Sequence, residues 1–352
     1  MTRERHTAAG PAAWLSIGAL LAGILLLPLG LRVVNTFLPS ATLSPSFIPS
    51  IESPRHRTPF DRDVVATLQE ARPDYVVIGD SMAGTRINPG HLSRLVGGRG
   101  VAALLHPGTG SAYWYLVFKN FVVNARFGPK AVVFFFRDEN LTDPLFRVYP
   151  GVLDRAAYDR EAALDRILSA NMHGTFYQAH LAAQRAYQFN RTRDWLEPQI
   201  TNMPLGAVVG TADRTAFLEE MNQRHIPQEA LRPMVAADMP GATETALDFD
   251  RRLPQSVLPE IIRLSKLSGI RVAFVRVQRR PRPDGPPLQS AALQQYVAKL
   301  SAWLAENGAH FHDDWGDPDQ PLRIYEDGDH IARDYRLLYT ELFFRKNRGL
   351  FQ

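Results

Sequence analysis

The stretch "YVVIGDSMAGTRINP", residues 75–89, decides how the rest of the chain is interpreted. Its apolar, β-prone start predicts a short buried strand. Gly79, Asp80 and Ser81 come next and predict a turn from that strand into a helix. Asp80 and Ser81 then serve either as helix caps, or Ser81 is a nucleophile at the carboxyl edge of a sheet, where α/β proteins place their ligands. Taken alone, the stretch favours the cap.

Apolar runs and helical patterns alternate on both sides of the middle of the chain. Further strands are predicted at 101–105, 130–136, 270–277 and 309–315, and helices at 112–124, 257–267 and 331–346. This alternation predicts an α/β fold with a mostly parallel sheet covered by helices. Residues from about 145 to 250 have a helical composition followed by Pro- and Gly-containing loops. They are interpreted as a helical insertion or lid.

The composition limits the possible functions. The chain has 352 residues, of which 45% are hydrophobic and 22% charged, so it can bury a core and is not a disordered chain. The formal net charge of +4 is too small for a nucleic-acid footprint, and no basic motif is interleaved with aromatic residues. There is no cysteine, which excludes disulfides, thiolate metal sites and cysteine nucleophiles.

The amino-terminal region predicts a membrane anchor. Residues 12–31 form 20 consecutive uncharged positions, a length that spans a bilayer. A cleaved signal peptide is the alternative, but Pro28 and Arg32 leave no obvious cleavage site. The sequence therefore predicts a cytoplasmic segment at 1–11, a single transmembrane helix at 12–31, a Pro/Ser/Thr-rich linker at 32–60 and an extracytoplasmic domain at 61–352.

Three polar segments follow, or lie close to, the ends of predicted strands. They are "GDS" at 79–81, "HPGTG" at 106–110 and "DGDH" at 327–330. A serine hydroxyl becomes a nucleophile when a histidine takes its proton and a carboxylate orients that histidine. A glycine loop lets backbone amides approach a developing oxyanion. The order of the three segments predicts a serine-dependent acyl-transfer site, with Asp327 or, alternatively, Asp329 as the acid.

These segments resemble the motifs of the SGNH (GDSL-type) hydrolase superfamily. By that resemblance Ser81 is the nucleophile, His330 the base and Asp327 its orienting acid. The resemblance implies an oxyanion hole made by the backbone amides of Ser81 and Gly108, with Gly110 as the alternative glycine. It also implies a flavodoxin-like three-layer α/β/α fold over residues 70–140 and 255–346, interrupted by the helical insertion.

One segment departs from the family pattern. The third block of the superfamily is usually Gly-x-Asn-Asp, in which the Asn side chain is an oxyanion donor. Here the strand at 130–136 runs into Arg137-Asp138-Glu139-Asn140. Asn140 is the candidate for the third donor.

The anchor and the motifs together resemble membrane-anchored members that act in O-acylation of bacterial cell-surface polymers, such as alginate O-acetylation and lipoteichoic-acid D-alanylation proteins. That resemblance implies a polysaccharide or acylated-carbohydrate substrate and a membrane-bound O-acyltransferase as partner. The alternative is a non-catalytic domain that binds the polymer or docks onto that acyltransferase. Hydrolysis and transfer share every residue up to the final acceptor, so the sequence leaves both open.

Two further patterns receive plain interpretations. The segment "HFHDDW" at 310–315 alternates along a predicted strand, and we expect neither a metal nor another cofactor. Arg276, Arg279, Arg280 and Arg282 form a basic run that is typical of a solvated loop or, alternatively, of a contact with an acidic polymer.

Overall fold

The computed structural model describes residues 11–37, 62–148, 161–172 and 247–352. The chain divides into two units, and residues 11–37 belong to a different unit from the other described residues. Helix α1, Pro11–Phe37, covers the predicted transmembrane segment and extends past its predicted end. Within the part of the chain that the structure describes, no helix is both long and apolar enough to cross a membrane. Most of the predicted linker and of the predicted insertion lies outside the described residues.

The second unit contains a five-stranded parallel sheet. Its strands are β1 (Tyr75–Gly79), β2 (Val101–Leu105), β3 (Ala131–Phe136), β4 (Arg271–Arg276) and β5 (His310–Asp313). They lie in the order β2-β1-β3-β4-β5, which is the order of flavodoxin-like doubly wound sheets. The predicted α/β class with a mostly parallel sheet is confirmed.

Helices connect the strands, as parallel pairing requires. They are α2 (Arg62–Ala71), α3 (Ser81–Arg86), α4 (Pro89–Leu95), α5 (Ser111–Leu116), α6 (Ala162–Asn171), α7 (Phe249–Arg252), α8 (Leu258–Ser268), α9 (Ala291–Glu306) and α10 (Arg336–Lys346). Helix α5 continues as a π-helix, Val117–Val123, so the helix predicted at 112–124 changes its hydrogen-bond pattern midway. Helix α6 is the described part of the predicted insertion.

The strands alternate their side chains between two buried faces. On one face Phe135 packs against Phe343 of α10, with 5.3 Å between the ring centroids. On the other face Phe134 stacks on Phe274 and meets Phe118 of the π-helix edge to face. Because both faces of the sheet are covered by helices, the unit has three layers, and β1, β2 and β3 are continuous apolar runs.

The topology places three strand ends beside one another. Gly79 at the end of β1 is opposite Leu105 at the end of β2, and β3 pairs with the other side of β1. Gly79 also permits a close approach, because a Cβ there would lie 2.7 Å from the Cβ of Ala83 in α3. The segments that follow β1, β2 and β3 therefore meet at the carboxyl edge of the sheet, where the chain reverses its winding direction.

Candidate active site

Ser81 is the first residue of α3 and directly follows the turn after β1. Asp80 is the N-cap of that helix, and its Oδ1 accepts a hydrogen bond of 2.9 Å from the Met82 amide. Asp80 is buried, which raises the pKa of its carboxyl, and the Arg147 guanidinium lies 3.8 Å away. Asp80 therefore caps the helix, and the Ser81 hydroxyl can contact another partner.

That partner is His330. The hydroxyl Oγ of Ser81 lies 2.9 Å from His330 Nε2, and His330 Nδ1 lies 2.7 Å from Asp327 Oδ2. With the proton of the neutral ring on Nδ1, that nitrogen donates to Asp327 and Nε2 accepts the hydroxyl proton. The structure therefore brings the three predicted side chains into one hydrogen-bonded chain, although the serine and histidine are far apart in sequence.

Residues 327–330 form a compact segment, here called the acid–histidine loop. Asp327 Oδ1 accepts hydrogen bonds from the Asp329 amide at 2.9 Å and the His330 amide at 2.8 Å. The loop closes where the Glu326 amide donates to the His330 carbonyl at 3.0 Å. One carboxylate thereby shapes the loop with one oxygen and orients the imidazole with the other.

These contacts set the protonation states of the pair. Burial by itself would raise the pKa of Asp327, but the hydrogen bonds from His330 and from two backbone amides hold it well below its usual range. Burial by itself would lower the pKa of His330, but the hydrogen bond and negative charge of Asp327, together with the charge of Asp329, raise it above 6.5. An ionised acid beside a histidine of raised pKa is suited to stabilising a transient imidazolium.

Asp329, the alternative acid, also faces the ring. Its Oδ1 lies 3.3 Å from His330 Nδ1, and its other oxygen forms an ion pair with Arg137. Asp327 is the closer of the two and is aligned by its own backbone contacts. The ligating atoms of Asp327, Asp329 and His330 lie within 4.8 Å of one another, but each of these side chains already has a protein partner.

The predicted glycine loop lies at the end of β2. The His106 amide donates to the Gly79 carbonyl at 3.1 Å, which joins this loop to the end of β1. Gly108 has φ +73°, a conformation that favours glycine. Gly110 is restricted differently, since a Cβ there would lie 2.4 Å from the carbonyl oxygen of Phe146. Gly108 is thus the turn residue of this loop, and Gly110 is needed for the packing of the segment that contains Phe146.

Residues 137–140, here called the β3 turn, replace the third block of the family. Asp138 has φ +47° and is buried against Arg276, at 2.9 Å, and Arg279. Asn140 is 3% exposed, and among the described residues its amide nitrogen Nδ2 has no hydrogen-bond partner. A buried amide donor without a partner is costly, and a ligand at this edge of the sheet would supply an acceptor for it.

The basic run begins at the end of β4, and two of its four arginines are buried. Arg276 and Arg280 are 2% and 3% exposed, and Arg276 forms ion pairs with Asp138 and Asp313. Of the four arginines, Arg282 lies on the surface, beside Asp284. The predicted solvated loop is wrong for Arg276 and Arg280, because a charge run does not show which of its side chains the fold will bury. The contact with an acidic polymer stays a prediction.

Sequence reasoning missed two arginines that contact the site, Arg86 and Arg147. Arg86 and Arg137 bind the backbone and side chain of Asp329, and Arg147 faces Asp80. Arg86 lies inside the stretch 75–89, but no local pattern distinguishes a buried arginine from an exposed one at the end of a helix.

Comparisons with known proteins gave similarity to solved structures alone. No family model and no curated protein matches the chain. An acylhydrolase structure from Bacteroides fragilis superposes with a TM-score of 0.35 at 12% identity, covering 80% of this chain and 95% of its own. A GDSL-like lipase from Bacteroides thetaiotaomicron gives 0.36 at 12%, covering 82% and 95%. A gut microbial diltiazem-metabolizing enzyme gives 0.31 at 9%, covering 78% and 46%. These superpositions are too loose to assign a role to any residue of this chain.

Proposed function

We propose that the chain is a serine-dependent acyl-ester enzyme of the SGNH (GDSL-type) superfamily. The observation that carries the proposal is the continuous hydrogen-bonded chain from Ser81 through His330 to Asp327. A nucleophile held to a base that is itself oriented by a carboxylate is the arrangement that covalent acyl transfer requires. The buried, unpartnered amide of Asn140 at the same sheet edge supports the proposal independently.

Each residue has a defined role in the proposed reaction. His330 Nε2 takes the Ser81 proton as Oγ attacks the acyl carbonyl, and Asp327 stabilises the resulting imidazolium. The backbone amides of Ser81 and Gly108 and the side-chain amide of Asn140 donate to the oxyanion of the tetrahedral intermediate. The intermediate collapses to an acyl-Ser81, and the imidazolium protonates the departing alcohol.

The second half of the reaction reverses these proton movements. His330 removes a proton from an acceptor hydroxyl, which attacks the acyl-Ser81 and releases the serine. The acceptor is water in an esterase and a sugar hydroxyl in an O-acyltransferase. Our proposal includes a polysaccharide or other cell-envelope polymer as the acceptor or ester substrate, and this part is supported by the sequence resemblance.

The membrane setting is likewise proposed from the sequence. The uncharged run at 12–31 supports a single anchor with the catalytic unit on the extracytoplasmic side, beside a membrane-bound O-acyltransferase. Protease protection of a carboxyl-terminal epitope in right-side-out and inverted vesicles tests this orientation. We expect digestion in the right-side-out vesicles and protection in the inverted ones. The reverse pattern would contradict the orientation, and recovery of the full chain without membranes would contradict the anchor.

Covalent labelling tests the catalytic proposal. The full chain, purified in detergent, is treated with a fluorophosphonate and its intact mass is measured, with Ser81→Ala as the matched variant. We expect one adduct on the wild-type chain and none on the variant. Absence of an adduct on the folded wild-type chain would instead favour the non-catalytic role, a domain that binds polymer or docks onto the acyltransferase.

A further inference from the structure

Arg86, the last residue of α3, is a fully buried cation in an unusual setting. Its side chain is 0% exposed, and among the described residues no carboxylate forms an ion pair with it. Its guanidinium instead donates hydrogen bonds to three backbone carbonyls. Buried charges are otherwise paired, because a carbonyl compensates the loss of hydration only in part.

Two of these carbonyls belong to neighbours of the candidate catalytic residues. Nη1 of Arg86 donates to the carbonyl of Asp329 at 2.6 Å and to that of Met82 at 3.2 Å. Asp329 directly precedes His330, and Met82 directly follows Ser81. A single nitrogen atom therefore joins the backbone beside the base to the backbone beside the nucleophile.

The second nitrogen connects the same group to the sheet. Nη2 of Arg86 donates to the carbonyl of Gln278, just beyond the end of β4, at 2.9 Å. The planar fork of a guanidinium fixes the directions of its donors, which the rotatable ammonium of lysine does not. The guanidinium of Arg86 thus joins α3, the acid–histidine loop and the end of β4.

The surroundings of Arg86 keep it charged. The guanidinium carbon lies 5.4 Å from the ring centre of Tyr339 and 6.0 Å from that of Tyr325. Burial by itself would lower its pKa, but the two tyrosines and the carboxylates of Asp314 and Asp329 raise it. Aromatic faces stabilise a desolvated cation, so the surroundings of Arg86 favour its charged form.

We propose that Arg86 is a positioning residue for the catalytic pair, one that fixes the Ser81–His330 separation from behind the site. This inference rests on the proposed function, in which His330 takes the proton from Ser81. Displacing reacting groups by about 1 Å costs on the order of 10²-fold in rate. Loss of the Arg86 fork releases the acid–histidine loop from α3 and lengthens the Ser81–His330 contact.

The charge of Arg86 also acts on the base. It opposes protonation of His330, whereas Asp327 and Asp329 favour it. Arg86→Lys keeps the charge and loses the fork, and Arg86→Met loses both. The other charged groups on the elements packed around the ring are Asp80 after β1, Arg137 after β3, Arg147 beyond the β3 turn and Arg280 after β4.

Saturation kinetics of fluorophosphonate labelling on the full chain test the inference. Arg336→Lys is the matched control, because it makes the same change at an arginine that donates to the Ile87 carbonyl, next to Arg86. We expect Arg86→Lys to lower the maximal labelling rate by about 10- to 100-fold with unchanged half-saturation. The control should label at the wild-type rate. The pH midpoint of labelling should be higher in Arg86→Met than in Arg86→Lys.

The Nδ1 proton resonance of His330, assigned by its loss in His330→Gln, provides a readout that does not need reactivity. We expect it to move in Arg86→Lys and to stay in place in Arg336→Lys. A wild-type rate and an unmoved resonance in Arg86→Lys would overturn the inference. Failure of both Arg86 variants to fold would also overturn it, because the residue would then serve the stability of the core alone. An unlabelled wild-type chain whose resonance still moves in Arg86→Lys would refute the proposed function and leave the positioning contact standing.

Discussion

The acid–histidine loop and the β3 turn lie at the same edge of the sheet, yet they are held in different ways. In the loop, Asp327 accepts hydrogen bonds from the amides two and three residues ahead, so the segment largely shapes itself. In the β3 turn, Asp138 is held by Arg276 and Arg279, which follow it by 138 and 141 residues. One part of the site therefore depends on local geometry and the other on distant charges.

The comparison separates two kinds of vulnerability. A change of Asp327 in the acid–histidine loop should remove chemistry and leave the fold intact, because its carboxylate makes its hydrogen bonds within the loop. A change of Asp138 in the β3 turn should also destabilise the edge of the sheet, because its ion pairs are lost. A change of Asn140 should not, because its side-chain amide donates no hydrogen bond within the described residues. Four substitutions test that division.

Asp327→Asn should have the largest effect. An amide at this position donates to His330 Nδ1 and favours the tautomer whose Nε2 carries a proton, so Ser81 loses its base. We expect the rate of fluorophosphonate labelling to fall by about 10³- to 10⁴-fold, with thermal unfolding close to that of the wild type. Because Asp327 raises the pKa of His330, the remaining activity should have its pH midpoint lowered. A loss smaller than about tenfold would assign the acid's role to Asp329.

Asn140→Ala tests the β3 turn without touching its ion pairs. Removing one oxyanion donor should lower the rate of ester hydrolysis by about 10²- to 10³-fold. The variant also removes a buried amide that lacks a partner, so the free energy of unfolding should change by less than about 1 kcal/mol or rise. Asn140→Asp is the matched control and should be slower still, because a carboxylate repels the oxyanion. Unchanged hydrolysis in both variants would remove Asn140 from the site.

Asp138→Asn should destabilise the fold. The change leaves Arg276 buried with one carboxylate fewer, at a cost of about 2–3 kcal/mol in chemical denaturation. Burial by itself would raise the pKa of Asp138, but Arg279 and Arg276 lower it below 3.8. The stabilisation is therefore fully present above that value and is lost as the pH falls through the lower folded pKa. The difference between wild type and variant should shrink in acid, and a difference independent of pH would contradict the ion-pair account.

Asp329→Asn should have the smallest effect and links the two segments. Asp329 contacts His330 but is largely neutralised by Arg137 from the β3 turn. His330 must be neutral to act as a base, so labelling should rise with pH through a midpoint above 6.5 in the wild type. The variant should shift that midpoint downward by less than about half a unit, with less than about tenfold loss of maximal rate. A larger downward shift would show that Arg137 does not neutralise Asp329 at the ring, and an upward shift would contradict the contribution of Asp329 to the pKa of His330.

The same division explains what the sequence predicts and what it does not. The strand ending at Gly79 and the segment at 327–330 are local patterns, and the structure has them where the pattern predicts. The alternation of strands and helices along the chain also predicted a mostly parallel sheet covered by helices. The turn at 79–81 had two interpretations, a helix cap and a nucleophile. In the structure Asp80 is the cap and Ser81 faces His330.

The remainder depends on partners far away in sequence. The basic run that begins at Arg276 was interpreted as exposed because charge runs usually are. The sequence does not show that Asp138, in the β3 turn, neutralises Arg276. The burial of Asn140 and of Arg86 likewise follows from which strands become neighbours. The shift from α5 to a π-helix is visible in the hydrogen bonds alone, since Val117–Val123 keeps helical apolar spacing.

The contact between Ser81 and His330 joins residues 249 positions apart, and this separation has a consequence for biosynthesis. The ribosome makes the strand and turn that carry the serine long before the segment that carries its base. Until that later segment has been made and has docked against α3, the hydroxyl is an ordinary alcohol. We therefore expect Ser81 to be unreactive in the nascent chain and to become a nucleophile in the last steps of folding.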